Sequence, residues 1–145
     1  MGPDTESSRF PDALIAWQTT PLAGTQRMLR ATAERNGSAV IVCVGGEVDA
    51  SNEPEWEHLL TSMADAAVPP GPFVVDVRDL DFIGASAYAM LASEAERCKH
   101  RGVRLCLVST RPETARAVAA CGLGQLLPVE TTLEAALSQL TGEVL

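Results

Sequence analysis

The sequence predicts an α/β fold: a small mixed, mostly parallel sheet with an antiparallel edge hairpin, packed by about four helices. Three observations carry this. A continuous apolar, β-branched run spans residues 39–44, and mostly apolar runs interrupted by Asp76 and Arg104 recur at 73–77 and 103–108, as suits buried strands. Segments with helical periodicity alternate with them, which implies βαβ units with right-handed crossovers. Asn36-Gly37 joins the first run to residues 28–33, and such a dipeptide makes a tight antiparallel turn.

Each element has its own signal. Residues 28–33 form an edge strand, and the strand at 39–44 stops at Gly45-Gly46. Ser51-Asn52 can cap a helix and Pro54 suits its first turn. Trp56, Leu59, Leu60, Met63 and Ala67 then share one helical face. The stretch Val68-Pro69-Pro70-Gly71-Pro72 breaks the chain before the strand at 73–77. Residues 78–85 read as a loop, with a helix beginning near Ser86 and ending at Gly102, where a left-handed residue is favoured. After the strand at 103–108, Thr110-x-x-Glu113 resembles a capping box for a helix that stops at Gly122. A short strand at 126–129 follows. Thr131-x-x-Glu134 opens the last helix, whose face is Leu133, Ala136, Leu137 and Leu140.

At 145 residues the chain has room for one domain. Residues 1–26 carry prolines, Ser and Thr with little periodicity, and read as a mobile N-terminal extension. Within it, Leu14-Ile15-Ala16-Trp17 suggests a docked piece that covers the sheet edge. Residues 27–145 form the domain. The apolar fraction of 46% and charged fraction of 21% are ordinary for a globular protein. The net charge of −8, from 11 basic against 19 acidic residues, disfavours nucleic acid and anionic membrane as partners. There is no apolar run long enough to span a bilayer and no secretory signal pattern. Cys43, Cys98, Cys106 and Cys121 form no C-x-x-C pair. They read as reduced thiols of a cytoplasmic protein.

Enzyme signatures are weak. There is no phosphate-binding loop of the G-x-x-x-x-G-K type, and Gly122-Leu123-Gly124 follows a helix rather than a first strand. His58 and His100 do not converge with other ligands, so no metal or other cofactor is expected. Gly84-Ala85-Ser86-Ala87-Tyr88 half resembles a nucleophile elbow, but Tyr88 replaces the second glycine and neither histidine has an obvious route to Ser86. No catalytic residue is assigned. Ser86 at a helix N-terminus has another use: a phosphate there meets unpaired N–H groups and the positive end of the helix dipole. The plainer alternative is a serine that caps its helix.

Gly46-Glu47-Val48-Asp49, a capped helix, and then Val74-Val75-Asp76-Val77-x-x-Leu80-x-Phe82-Ile83 leading into Ser86 resemble the STAS domain, and in pattern the bacterial anti-sigma factor antagonists. The resemblance covers residues 28–140. It implies a small mixed sheet packed on one side by several helices, and a binding protein rather than an enzyme. It implies as partner an anti-sigma factor with a histidine-kinase-like ATPase domain. Binding would release a sigma factor, phosphorylation of a serine at the start of the second main helix would break the complex, and a serine phosphatase would reverse it. The family's aromatic-hydrophobic-Asp-Ser-Ser-Gly motif falls on Phe82-Ile83-Gly84-Ala85-Ser86-Ala87. The phosphoacceptor is thus Ser86, while Gly84, Ala85 and Ala87 depart from the pattern. Loss of the Asp removes a charged group beside the hydroxyl, which bears on phosphorylation more than on binding.

Asp49, Ser51 and Asn52 match the second loop lining the same end of the sheet. With Gly84, Ala85, Ala87 and Tyr88 they form the expected partner-binding set. Asp49 can also simply fix its own turn. The alternative function is a STAS scaffold or ligand-sensing module in a signalling complex without a phosphoswitch; a variant of it uses a cysteine pair as a redox switch.

Overall fold

The computed structural model describes residues 15–18 and 29–142, with side chains for 29–138. The chain runs β1 (Ile15–Gln18), β2 (Leu29–Asn36), β3 (Ala39–Val48), a 3₁₀ turn (Ala50–Asn52), α1 (Glu53–Ala66), β4 (Phe73–Ile83), α2 (Ala85–His100), β5 (Leu105–Val108), α3 (Pro112–Ala120), β6 (Val129–Glu130) and α4 (Leu133–Gly142). The six strands lie side by side in chain order. β1–β2 and β2–β3 are antiparallel, while β3–β4, β4–β5 and β5–β6 are parallel. This is the predicted mixed sheet with four helices. Most of the expected extension at 1–26 lies outside the described residues. The piece expected to dock there is β1, which pairs outside β2 from Ile15↔Ala33 to Gln18↔Arg30.

The strand boundaries differ from expectation for physical reasons. Gly45-Gly46 does not stop β3. The parallel register with β4 shifts between Cys43 and Gly45 and again between Gly46 and Glu47. Gly46 takes φ 101° there, a conformation that suits glycine at a bulge. The strand then continues to Val48, opposite Ile83.

Residues 78–83, expected as loop, therefore belong to β4. Their charged residues hid a strand in which Leu80 is buried while Arg78, Asp79, Asp81 and Phe82 are exposed. β2 extends to Asn36, and the two-residue turn is Gly37-Ser38 rather than Asn36-Gly37. Gly37 alone has positive φ (66°), the pattern that places glycine first in such a turn.

The expected Thr110 box does not form. Arg111 occupies the N-cap of α3 without a side-chain cap, and Ser109 Oγ instead accepts from Arg111 N at 3.1 Å. In α4 the cap is Thr132, whose Oγ1 accepts from Ala135 N at 3.0 Å, not Thr131. β5 starts at Leu105 rather than 103, and β6 is Val129–Glu130 rather than 126–129.

The sheet separates two apolar layers. On one face Leu29, Val42, Val75 and Leu107 pack with Trp56, Leu60 and Leu91 from α1 and α2. On the other, Ile41, Val74, Cys106 and Val108 pack against Ala136, Leu133 and Leu137 of α4. The helices thus cover both faces, not one side as the family resemblance implied. α1 has no basic residue in its last turn. Its free carbonyls are met instead by Arg101, which donates to Ala64 O (2.8 Å) and Ala67 O (3.0 Å), and by Arg35, which donates to Ala66 O. Cations here complement the negative end of the helix.

A candidate partner-binding and switch site

The parallel strands β3 and β4 end side by side, and each feeds a helix. Partner sites collect at such strand ends. Val48 O accepts from Gly84 N at 2.9 Å and so ties the two exits together. The first exit closes on itself. Asp49 Oδ1 accepts from Ser51 N (2.9 Å) and Ser51 Oγ (2.6 Å). Asn52 Oδ1 accepts from Asp49 N (3.0 Å), and Asn52 Nδ2 donates to Glu47 O (2.8 Å). This reciprocal cap satisfies donors that a helix start leaves open. Asp49 does fix its own turn, and the expected Ser51-Asn52 cap acts through the 3₁₀ turn rather than on α1 directly.

The second exit is bare. Gly84 is the N-cap of α2, makes no side-chain cap, and the first turn holds no acidic residue. Ser86 is the second residue of α2, so it is not the cap. Its hydroxyl is exposed and donates to Glu53 Oε2 on α1. Beneath this contact, Trp56 is fully buried and donates from Nε1 to Ala87 O at 3.2 Å. The start of α2 is therefore tied to the end of β3 by backbone, and to α1 by the core indole and by surface side chains.

The predicted residues divide by depth. Ser51, Ala85 and Ser86 are exposed, and Asp49 and Gly84 are half-buried. Asn52, Ala87 and Tyr88 are buried and support this surface from beneath. The Tyr88 hydroxyl lies 3.3 Å from Thr114 Oγ1, which accepts from Ser109 Oγ at 2.9 Å. Nothing in the sequence links Glu53 to Ser86, 33 residues away, and nothing in the motif marks Phe82 as a surface residue. Phe82 is 47% exposed, and its ring edge passes 3.7 Å from where a Cβ on Gly84 would sit. Gly84 has φ −79°, so nothing in its backbone requires glycine.

Residues 30–136 match the STAS domain. The chain belongs to the STAS-domain family. A STAS relative, the anti-sigma-F factor antagonist RsfA of Mycobacterium tuberculosis, is 48% identical over 120 residues, 83% of this chain and 91% of its own length. A putative anti-anti-sigma factor of the same species is 42% identical over 135 residues, 93% of this chain and 91% of its own. The crystal structure of an anti-sigma factor antagonist from Mycobacterium paratuberculosis superposes with a TM-score of 0.67 at 25% identity, over 77% of this chain and 93% of that one.

The thiols of this STAS domain are all free. Cys43 and Cys106 sit on β3 and β5 with β4 between them, about 10 Å apart at ordinary strand spacing, beyond the ~4.4–6.8 Å Cα separation of a disulfide. Cys98 is buried with the core on the other sheet face. Burial pushes the thiols of Cys43 and Cys98 up to about 11 and that of Cys106 to about 12. Such thiols are poor nucleophiles. Among the described residues no group of three His, Cys, Asp or Glu is placed to hold a metal ion, and no helix is long and apolar enough to cross a membrane.

Proposed function

We propose that this STAS domain is an anti-sigma factor antagonist. It binds an anti-sigma factor through the surface of Asp49, Ser51, Phe82, Ala85 and Ser86, and thereby frees a sigma factor in the cytoplasm. The similarity to a protein named anti-sigma-F factor antagonist, across 83% of the chain, carries this reading. The site supports it. An exposed aromatic ring among small and acidic groups is the kind of anchor on which interface energy concentrates.

Ser86 is the regulatory position in this reading. A histidine-kinase-like ATPase domain in the anti-sigma factor transfers the γ-phosphoryl of ATP to Ser86 Oγ. The new P–O bond forms there, the bond to ADP breaks, and the hydroxyl proton leaves to a base of the kinase. The added charge of about −1.5 to −2 breaks the complex, and a serine phosphatase restores it.

The chain is a binding protein in this account, not a hydrolase. His100 lies fourteen residues along α2 from Ser86, about 21 Å at helical rise, and pairs with Glu96 at 3.7 Å. The test is intact-mass spectrometry after incubation with ATP and candidate anti-sigma factor kinases. One phosphate gained by the native chain and none by Ser86→Ala is the expected result. No gain from a kinase active on another substrate contradicts the switch.

A further inference from the structure

We infer that Glu53 is an internal stand-in for the Ser86 phosphate: α1 lends this carboxylate to the start of α2, and modification of Ser86 expels it. The inference takes its regulatory meaning from the proposed role of Ser86, but its physical content is confined to this chain.

Two observations meet here. First, α2 begins without a side-chain cap and with no acidic residue in its first turn. Its positive end therefore has no anion from its own segment, although such an end favours one. Second, the Glu53 carboxylate comes across from α1 and accepts the hydroxyl proton of Ser86. Glu53 is itself the first residue of α1, so its charge lies at two helix starts at once. The neighbouring acids are otherwise placed. Asp49 is occupied by Ser51, and Asp79 and Asp81 stand exposed on β4.

A phosphate on Oγ removes the proton that Glu53 accepts. It also brings a second anion to the same helix start and holds it there covalently. The carboxylate must leave. Because Glu53 directly follows the Asp49–Asn52 turn, its departure transmits the state of Ser86 to the other half of the partner-binding surface. Glu53 is thus a positioning residue that couples the two loops.

Four full-length proteins test this without kinase or partner: Ser86→Gln and Ser86→Glu, each with native Glu53 and with Glu53→Gln. The readout is the urea midpoint at neutral pH. Gln and Glu match in size, so their difference isolates charge at residue 86. With native Glu53, Ser86→Glu should unfold at lower urea than Ser86→Gln. With Glu53→Gln, that order should vanish or reverse, since the charge at residue 86 then meets only the helix dipole. The same Glu–Gln difference in both backgrounds overturns the inference. Because no binding is measured, that outcome leaves the antagonist reading standing, and failure of partner binding leaves this coupling standing.

Discussion

At the scale of single residues, the surface beside Ser86 sorts into anchors and supports. Phe82 is an anchor: its ring is half exposed and lies beside Gly84, the N-cap of α2. Phe82→Ala is expected to weaken partner binding by about 2 kcal/mol, some thirtyfold, as for an aromatic hot spot. Its urea midpoint should stay near native, and calorimetric titration beside a denaturation curve separates the two effects. Asn52 is a support. Its amide holds both Asp49 N and Glu47 O while 6% exposed. Asn52→Ala should therefore cost about 1–3 kcal/mol of stability by leaving buried polar groups unpaired. Loss of affinity without loss of stability in this variant would place Asn52 in the contact itself.

At the scale of elements, the tie between α1 and α2 matters most. Trp56→Phe keeps most of the buried ring but removes the donor to Ala87 O. About 1 kcal/mol of stability should go with it, and amide exchange should rise first in the opening turn of α2. Unchanged protection there would show that the backbone bond from Gly84 to Val48 is sufficient. The helices and their faces were legible in the sequence because spacing and proline or glycine punctuation act locally. The end of β4 was not. Arg78, Asp79 and Asp81 look like loop residues, and only pairing with the bulged end of β3 makes them strand. The helix caps slipped by a residue or were replaced for a similar reason. Several hydroxyls compete at a helix start, and further contacts, such as that of Thr114 with Ser109 and with Tyr88 from α2, decide which is used. At the site, Ser86 and the Asp49 loop were readable from motif order. Glu53 was not, since only the packing of α1 on α2 brings it to Ser86.

At the scale of the whole molecule, the buried thiols set an upper pH limit. In the folded state Cys43, Cys98 and Cys106 hold their protons to about 11, 11 and 12, against 9.0 ordinarily, chiefly because burial penalises the thiolate. The folded chain binds these protons more tightly than the unfolded one. Their contribution is thus complete below about pH 9 and is lost as pH rises through about 11 for Cys43 and Cys98 and about 12 for Cys106. The urea midpoint should fall across that window, and a Cys106→Ala variant should fall less steeply. Native-state alkylation at neutral pH should mark exposed Cys121 ahead of the other three; equal labelling of all four would contradict the burial pattern.

We propose that this acidic STAS domain frees a sigma factor by binding its anti-sigma factor, and that charge at Ser86 ends the interaction. Displacement of a labelled sigma factor from its purified anti-sigma factor, followed by fluorescence anisotropy, tests this most directly. The native chain should release the sigma factor in proportion to the amount added, and Ser86→Glu should release at least about tenfold less at equal concentration, a difference of about 1.4 kcal/mol. Failure of the native chain to displace the sigma factor from any anti-sigma factor of its source organism would contradict the antagonist assignment. Equal displacement by the native chain and Ser86→Glu would contradict the switch.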